Sequence, residues 1–185
     1  MSRRHETGDT LVEVLLAIVI LSIIIVGAIS LMTFGITQTQ TSVEHTQVRL
    51  QINGQSNILQ YLRDDYVNHG RSVATAPAAL WQNIITNYTL GTTPTDKTDD
   101  GCVVQGAKPF YLAQNAALAV TINNFNAGIK PATSAIPGQG LWLEAYKATA
   151  SGPEYIDFVI RGCWQPTGSG PRQQEATVVR LYDGN

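Results

Sequence analysis

The sequence predicts an α+β fold in which a long N-terminal helix packs on a small antiparallel β-sheet. No proline occurs before Pro77, so nothing in the preceding stretch is expected to break a helix. An uncharged apolar run opens that stretch, and apolar residues at alternating steps of three and four continue it. Short segments in which apolar and polar residues alternate follow late in the chain, a pattern typical of strands.

The apolar run extends from Val14 to Met32 and contains no charged side chain. As a helix, its 19 residues would be about 28 Å long, enough to cross the hydrocarbon core of a bilayer. Arg3 and Arg4 precede the run, and a positively charged flank stays on the cytoplasmic side of a membrane. We therefore expect one span, with the N-terminus inside the cell and everything after about residue 33 outside.

Three other interpretations of the apolar run compete with a membrane-spanning helix that also takes part in the assembly of subunits. A cleaved secretory signal is suggested by the small residues from Val26 to Ala28, but the run is longer than the usual signal core. A twin-arginine signal is suggested by Ser2 to Arg4, but polar residues from His5 to Thr7 follow it. A plain membrane anchor remains, because any apolar run of this length can anchor a protein.

The helix is predicted to continue beyond the membrane and to pack on the rest of the chain. One apolar stripe runs along it, at steps of four and three residues. Its members are Val48, Ile52, Gln55, Leu59, Leu62 and Tyr66. The run from Asn68 to Gly70 predicts the C-terminal end of this helix.

The remaining chain is predicted to form a short helix and an antiparallel sheet. Pro77 to Tyr88 predicts a helix opened by proline in its first turn, and residues 91–101 predict a polar loop. Alternation predicts strands at Phe110 to Gln114, Leu118 to Asn123, Leu141 to Thr149, Tyr155 to Cys163 and Ala176 to Tyr182. Short polar connections between them favour a meander.

A short motif stands immediately before the apolar run. Residues 8–13 read Gly-Asp-Thr-Leu-Val-Glu, and a short leader with two arginines precedes them. This pattern resembles the signal of type IV prepilins: a basic leader ending in glycine, a glutamate at the fifth mature position, and a spanning helix. Gly8 matches the residue before the cut, Asp9 would become the new N-terminus, and Glu13 falls at the fifth position.

The resemblance implies an organisation of the whole chain. Residues 1–8 would be a leader, 9–33 the transmembrane and filament-core helix, 34–69 its continuation, and 70–185 an extracytoplasmic α+β head of pilin-like fold. The protein would start in the cytoplasmic membrane and end in an extracellular or periplasmic filament. Its implied partners are a prepilin peptidase, other pilin subunits, and the assembly platform of a pilus or secretion system.

The resemblance also implies a structural role. The stretch from Thr10 to Ala17 is similar to minor pilins and pseudopilins. We therefore expect a minor pilin of a type IV pilus, with a pseudopilin of a type II secretion system as the alternative. An alternative of another class is a membrane-anchored binding protein that never polymerises.

Glu13 itself is unusual in physical terms. A carboxylate near the middle of a spanning helix costs on the order of 2.5–3.5 kcal/mol, and less at the edge, so such a group is a candidate functional site. The resemblance implies that Glu13 meets the freed amine of a neighbouring subunit. Asp9 departs from the family, which usually has an apolar residue there, and the two carboxylates repel mildly at a spacing of four residues.

The chain has two cysteines, Cys102 and Cys163, both far beyond the apolar run. A disulfide is the natural interpretation on an exported domain, and two buried free thiols are the alternative. The two lack a CxxC spacing, so they give too few ligands for a zinc site.

Composition and motifs argue against other classes of function. There are 12 Lys and Arg residues against 14 Asp and Glu residues, which disfavours a dedicated nucleic-acid binder. We find no HExxH, GxSxG or P-loop motif, so we expect neither an enzyme nor a bound cofactor. Asp96, Asp99 and Asp100 form an acidic segment that lacks the spacing of an EF-hand, and a solvated loop without metal is the expectation.

Overall fold

The computed structural model describes residues 9–91, 102, 108–114, 119–124, 140–147, 154–166 and 171–182. Helix α1 covers Asp9–Asn68 and helix α2 covers Ala76–Asn83, and a π-helical turn at Ile84–Tyr88 follows. The strands are β1 (Thr89–Leu90), β2 (Phe110–Gln114), β3 (Val120–Asn124), β4 (Gly140–Lys147), β5 (Tyr155–Trp164) and β6 (Gln173–Tyr182). The chain divides into two compact units, Met1–Ser42 and Val43–Asn185, and we call the second the head unit.

Helix α1 ends where the sequence predicts. Gly70 adopts a left-handed backbone with φ of 65°, which costs glycine no steric strain. The Gly70 amide donates to the carbonyl of Val67 at 3.1 Å, and the Arg71 amide donates to the carbonyl of Tyr66 at 2.9 Å. These two bonds form a Schellman motif, which satisfies carbonyls that the end of a helix leaves open.

Helix α2 begins at the predicted proline turn but is shorter than the predicted helix. The Thr75 hydroxyl accepts a hydrogen bond from the Ala78 amide at 3.2 Å, and Pro77 fills the first turn, where an amide hydrogen is not needed. The residues from Ile84 onward form a wider π turn rather than further α-helix. Strand β1 follows directly and was not predicted, because two residues carry no periodicity.

The sheet has the order β3-β2-β4-β5-β6, and every neighbouring pair in this order is antiparallel. The predicted α+β class and the antiparallel sheet are therefore confirmed. Strand β1 is the exception, since it pairs in parallel with β4 at Ala145 and Tyr146. Strand β2 pairs with the same edge of β4 at Leu143, so two different segments share that edge.

Within the head unit, α1 packs on one face of the sheet through the predicted stripe. Leu59 and Leu62 are fully buried, and Val48 and Ile52 are 1% and 2% exposed. Burying a side chain of this size stabilises the fold by about 1.5–3 kcal/mol. The helix stripe meets a core that includes Trp81, Phe110, Leu143, Phe158 and Ile160. The predicted stripe is thus confirmed as the contact between α1 and the sheet.

Gln55 is the polar member of the stripe, and β2 explains its position. Strand β2 pairs with β4 only at Phe110, opposite Leu143. Beyond that point the side-chain amide of Gln55 donates through Nε2 to the backbone carbonyl of Leu112 at 2.9 Å. The backbone amide of Leu112 donates in return to the side-chain oxygen Oε1 of Gln55 at 3.0 Å. The side chain therefore takes the place of a peptide group and satisfies buried backbone atoms of β2.

Gly162 marks the closest approach of α1 to β5. A β-carbon added at Gly162 would lie 2.6 Å from Cγ1 of Val48, with Cδ1 of Ile52 at 3.6 Å. Such a separation is below any ordinary contact, so a side chain at this position would push the helix away from the strand. Glycine is required here because the helix and the sheet touch.

We expect Gly162→Ala to lower the free energy of unfolding by about 1–3 kcal/mol, the range typical of overpacked cores. Denaturation of the detergent-solubilised chain, followed by fluorescence of the buried Trp81, Trp142 and Trp164, reports on the head unit alone. Gly54→Ala is the matched control, because its added β-carbon would meet nothing within 4 Å. Equal stability of Gly162→Ala and the wild type would contradict the close contact.

Candidate assembly interface

Two of the three processing and assembly residues predicted from the sequence lie among the described residues. Asp9 is the first residue of α1, and Glu13 lies one turn further along the same helix. The Glu13 side chain is exposed, and among the described residues it makes no hydrogen bond or ion pair. Gly8 lies outside the described residues. The helix therefore presents the Glu13 carboxylate outward, without a partner in the described part of its own chain.

The surface around and beyond Glu13 is apolar on every side. Exposed fractions between Leu11 and Phe34 run from 49% at Ile20 to 74% at Leu31. Among the described residues, α1 is the one helix long and apolar enough to cross a membrane, and its apolar window is not buried in this chain. An apolar surface of this size on one helix requires lipid or other protein chains to cover it.

The hydroxyl side chains of this segment are satisfied within the helix. The Ser22 hydroxyl donates to the Ile18 carbonyl at 2.7 Å, and the Ser30 hydroxyl donates to the Val26 carbonyl at 2.9 Å. Hydroxyls further along α1 repeat this bond to the carbonyl four residues earlier, at Thr33, Thr37, Thr39 and Thr41. Because these hydroxyl protons are already hydrogen-bonded to backbone carbonyls, the segment can enter an apolar environment without unsatisfied hydroxyl groups.

Glu13 is thus the isolated charge of the segment. No Lys, Arg or His occurs in the sequence between His5 and His45. The helix N-terminus offers partial positive charge from its open amides, but this effect falls off within the first turn, and Glu13 is the fifth residue of α1. A full positive charge for Glu13 has to come from the start of a chain or from another molecule.

The predicted disulfide pair lies in the head unit. Cys102 and Cys163 form a disulfide with a Cα–Cα distance of 5.7 Å. Cys163 is 1% exposed and lies on β5, on the sheet face opposite α1, which we call the second face. The bond therefore fixes Cys102 to that face.

The second face also carries a buried polar network that we did not predict. Glu144 is 1% exposed and accepts hydrogen bonds from Nε1 of Trp142 at 3.0 Å and from the Tyr146 hydroxyl at 2.6 Å. Burial raises the pKa of the Tyr146 phenol, and the hydrogen bond to Glu144 raises that pKa further. Nε of Arg161 lies 4.0 Å from Glu144 on the neighbouring strand. The only sequence signal was the aromatic–acid–aromatic alternation in β4.

A second ion pair lies on this face, between β5 and β6. The guanidinium of Arg180 on β6 donates to both oxygens of Asp157 on β5, at 2.8 and 2.9 Å. The same guanidinium lies 4.0 Å from the ring centre of Tyr155, a cation–π contact. These interactions join β5 to β6.

Sites for small ligands are poorly supported. Among the described residues, no group of three or more His, Cys, Asp or Glu side chains could hold a metal ion. The acidic segment with Asp96, Asp99 and Asp100 lies outside the described residues. A shallow apolar cleft beside Tyr61, Pro77 and Val120 has a volume of about 220 Å³, below the usual range for ligand pockets.

Comparison with known families gives a match at the start of the chain. Residues 3–29 match the family model of the prokaryotic N-terminal methylation motif. No curated protein and no solved structure matches the chain. The motif is the signal of type IV pilins and pseudopilins, a family of structural rather than enzymatic proteins. It implies processing by a prepilin peptidase and assembly with pilin subunits, and the helix-plus-sheet arrangement is pilin-like.

Proposed function

We propose that this chain is a minor pilin of a type IV pilus-like filament, cut after Gly8 and assembled through α1. The observation that carries the proposal is the exposed Glu13 carboxylate at the start of the uncharged segment of α1, residues 14–43. A charge in such a place is tolerated when a partner of opposite charge meets it in the assembled state. The motif at residues 3–29 supports the same conclusion from the sequence.

Removal of the leader would leave one cation near Glu13. The leader contains Arg3, Arg4 and His5, and the next basic side chain along the chain is His45. The new α-amino group of Asp9 would therefore be the positive charge available at this end of the helix. In a low-dielectric packing of helices, the pairing of this amine with Glu13 of a neighbour would select the axial register.

Asp9 supports an accessory rather than an abundant subunit. Its carboxylate lies beside its own amine and four residues before Glu13, so it competes for the amine and repels the glutamate. Both effects weaken the register contact relative to a subunit with an apolar first residue. A subunit with a weaker contact is better suited to a minor position than to the bulk of a filament.

The proposed organisation follows from these assignments. Residues 9–33 cross the cytoplasmic membrane with the N-terminus inside, residues 34–69 continue the helix, and residues 70–185 form the extracytoplasmic head. The positive leader supports this orientation. The disulfide between Cys102 and Cys163 supports a head outside the reducing cytoplasm.

Cell fractionation tests the proposal. A tagged full-length chain is expected in filaments sheared from wild-type cells and absent from those of a strain without its prepilin peptidase. Loss from the sheared fraction when the pilus platform is deleted supports a pilin. Loss only when a type II secretion platform is deleted supports the pseudopilin alternative. Retention of the full-length chain in the membrane of every strain would instead favour a non-polymerising anchored protein.

A further inference from the structure

Strand β6 is an open edge of the sheet in the head unit. All ten of its residues, Gln173–Tyr182, pair one-to-one with β5. Within the part of the chain that the structure describes, no strand pairs with its other side, which we call the β6 edge. Val178, near the middle of the strand, is 58% exposed. An edge of this length presents a row of backbone N–H and C=O groups, a template for another extended polypeptide.

The sequence of β6 lacks the features that usually prevent such pairing. The strand contains no proline and no lysine, and its register with β5 has no bulge. Its two charged side chains form ion pairs within the head unit, Glu175 with Arg49 and Arg180 with Asp157. The strand is therefore regular enough to accept a second strand along its outer side.

Arginine side chains are concentrated along this edge. Four of the eight arginines in the chain lie beside or in β6, so positive charge is gathered here: Arg49, Arg63, Arg172 and Arg180. Arg63 marks the far end, where its Nε donates to the Tyr182 carbonyl at 3.1 Å. Its Nη1 lies 2.8 Å from the exposed carboxylate of Asp64, so the charge at that end is balanced.

The charge that the rest of the edge presents to solvent is positive. The side chains of Arg49 and Arg180 are 70% and 48% exposed, whereas their partners Glu175 and Asp157 are 19% and 9% exposed. Arg172, immediately before β6, is exposed and forms no ion pair with any described residue. Solvent therefore meets the guanidinium side of each pair, and the unbalanced charge is greatest near the start of β6.

We propose that the β6 edge binds an extended, acidic segment of another protein of the filament, which joins the sheet as a further strand. Backbone hydrogen bonds would hold the segment, as in other cases of strand addition. Carboxylates near Arg49 and Arg172 would give selectivity, because a guanidinium binds a carboxylate in a fixed, two-pronged geometry. A polypeptide fits this edge better than a nucleic acid, since its donors and acceptors repeat at the spacing of a strand.

The proposal rests on the proposed function for the identity of the partner. An accessory subunit has neighbours that are mainly chains other than its own copies. The edge itself, however, lies wholly within the head unit, and its properties do not depend on how that unit is placed in a filament.

Peptide binding to the detergent-solubilised full-length chain tests the chemistry of the edge. The probe is a fluorescent ten-residue peptide in which valine and glutamate alternate, and anisotropy measures its affinity. It should bind at least about tenfold more tightly than the same peptide with lysine in place of glutamate, because like charges placed together are costly. Equal affinity of the two peptides would overturn the proposal.

A modified peptide tests whether binding uses backbone pairing. Methylation of two neighbouring central amides blocks both edges of the peptide, since successive amides of a strand point to opposite sides. The methylated acidic peptide should bind at least about tenfold more weakly than the unmodified one, because hydrogen bonds of the strand are lost. Undiminished binding would show charge attraction without strand addition and would overturn the proposal.

Variants of the chain locate the binding surface. Arg172→Gln should weaken binding of the acidic peptide by about two- to fivefold, the range of one exposed ion pair. Lys147→Gln is the matched control, because it removes the same charge at the end of β4 and should not change the affinity. Val178→Glu should weaken binding further, whereas Val178→Lys should not. Equal effects within each pair of variants would place the peptide elsewhere and contradict the proposal.

A photo-cross-linking amino acid at Val178, in sheared filaments, identifies the natural partner by mass spectrometry. We expect cross-links to an acidic segment of a different filament protein, and none to that segment from Val73, an exposed control in the turn after α1. Cross-links to a second copy, to the same chain, to nucleic acid or to lipid alone would overturn the inference while leaving a filament subunit. If the chain is absent from filaments but still selects the acidic peptide, the proposed function and the filament partner fail, while the strand-binding edge stands.

Discussion

Replacing Glu13 with valine is expected to reduce the amount of this subunit in purified filaments at least about tenfold. Breaking a buried ion pair by removing one partner costs about 3–5 kcal/mol, because the remaining charge stays buried without compensation. In the variant the freed α-amino group of a neighbouring subunit would enter the apolar packing unpaired. Insertion into the membrane should be unchanged or slightly improved, since the substitution removes a charge from the spanning helix.

Quantitative immunoblots of sheared filaments and membranes measure both effects in the same cells. Glu13→Gln removes the charge but keeps the shape of the side chain. The amount of this variant in filaments should fall almost as much as that of the valine variant. Leu15→Val is the matched control, because it changes an exposed apolar residue of the same segment without removing a charge. If Glu13→Gln entered filaments as well as the wild type does, the negative charge of Glu13 would have no role in assembly.

Loss of the disulfide is expected to have the largest effect on the stability of the head. The bond between Cys102 and Cys163 closes a loop with a sequence separation of 61 residues. In the chain-entropy model a loop of this length contributes about 4 kcal/mol, because the bond restricts the unfolded chain. Cys102→Ser should lower the free energy of unfolding by a comparable amount.

The comparison of reduced and oxidised protein isolates this contribution. Denaturation of the detergent-solubilised chain can again be followed by fluorescence of the three buried tryptophans. A reductant should destabilise the wild type to about the level of Cys102→Ser and should leave Cys102→Ser unchanged. A wild-type chain whose stability is insensitive to reductant would show that the bond does not constrain the unfolded state.

Much of the fold could be predicted because it follows from local patterns. The stripe from Val48 to Tyr66 and the glycine stop at Gly70 set the packing face and the end of α1. Alternation placed the strands to within a few residues, and β2 was predicted with the bounds that the structure has, Phe110–Gln114. These features depend on neighbours within one element, which a single sequence displays directly.

The rest depends on contacts between elements that are distant in sequence. Gln55 looked like a polar interruption of the stripe, and only the open backbone of Leu112 explains it. Glu144 lies in a strand pattern that could equally have faced water, yet its partners bury it on the second face. Gly162 is required by Val48, a residue more than one hundred positions earlier.

For the candidate assembly site, the sequence identified the residues, and the structure of one chain adds little. Its residues form a short linear motif, so the sequence alone identified Gly8, Asp9 and Glu13 as candidates. One chain can show only that Glu13 is exposed on the apolar segment of α1, because the proposed partner belongs to a neighbouring subunit. The proposed processing of the leader is equally invisible in a single unprocessed chain.

The mass of the intact native protein, with fragmentation of its first residues, tests the central proposal most directly. The trimmed subunit should begin at Asp9, carry a methylated α-amino group, and contain the intact disulfide. A native chain that still begins with Met1 or Ser2 in both membranes and filaments would contradict the proposal. No free amine would then stand beside the first turn of α1 to meet Glu13.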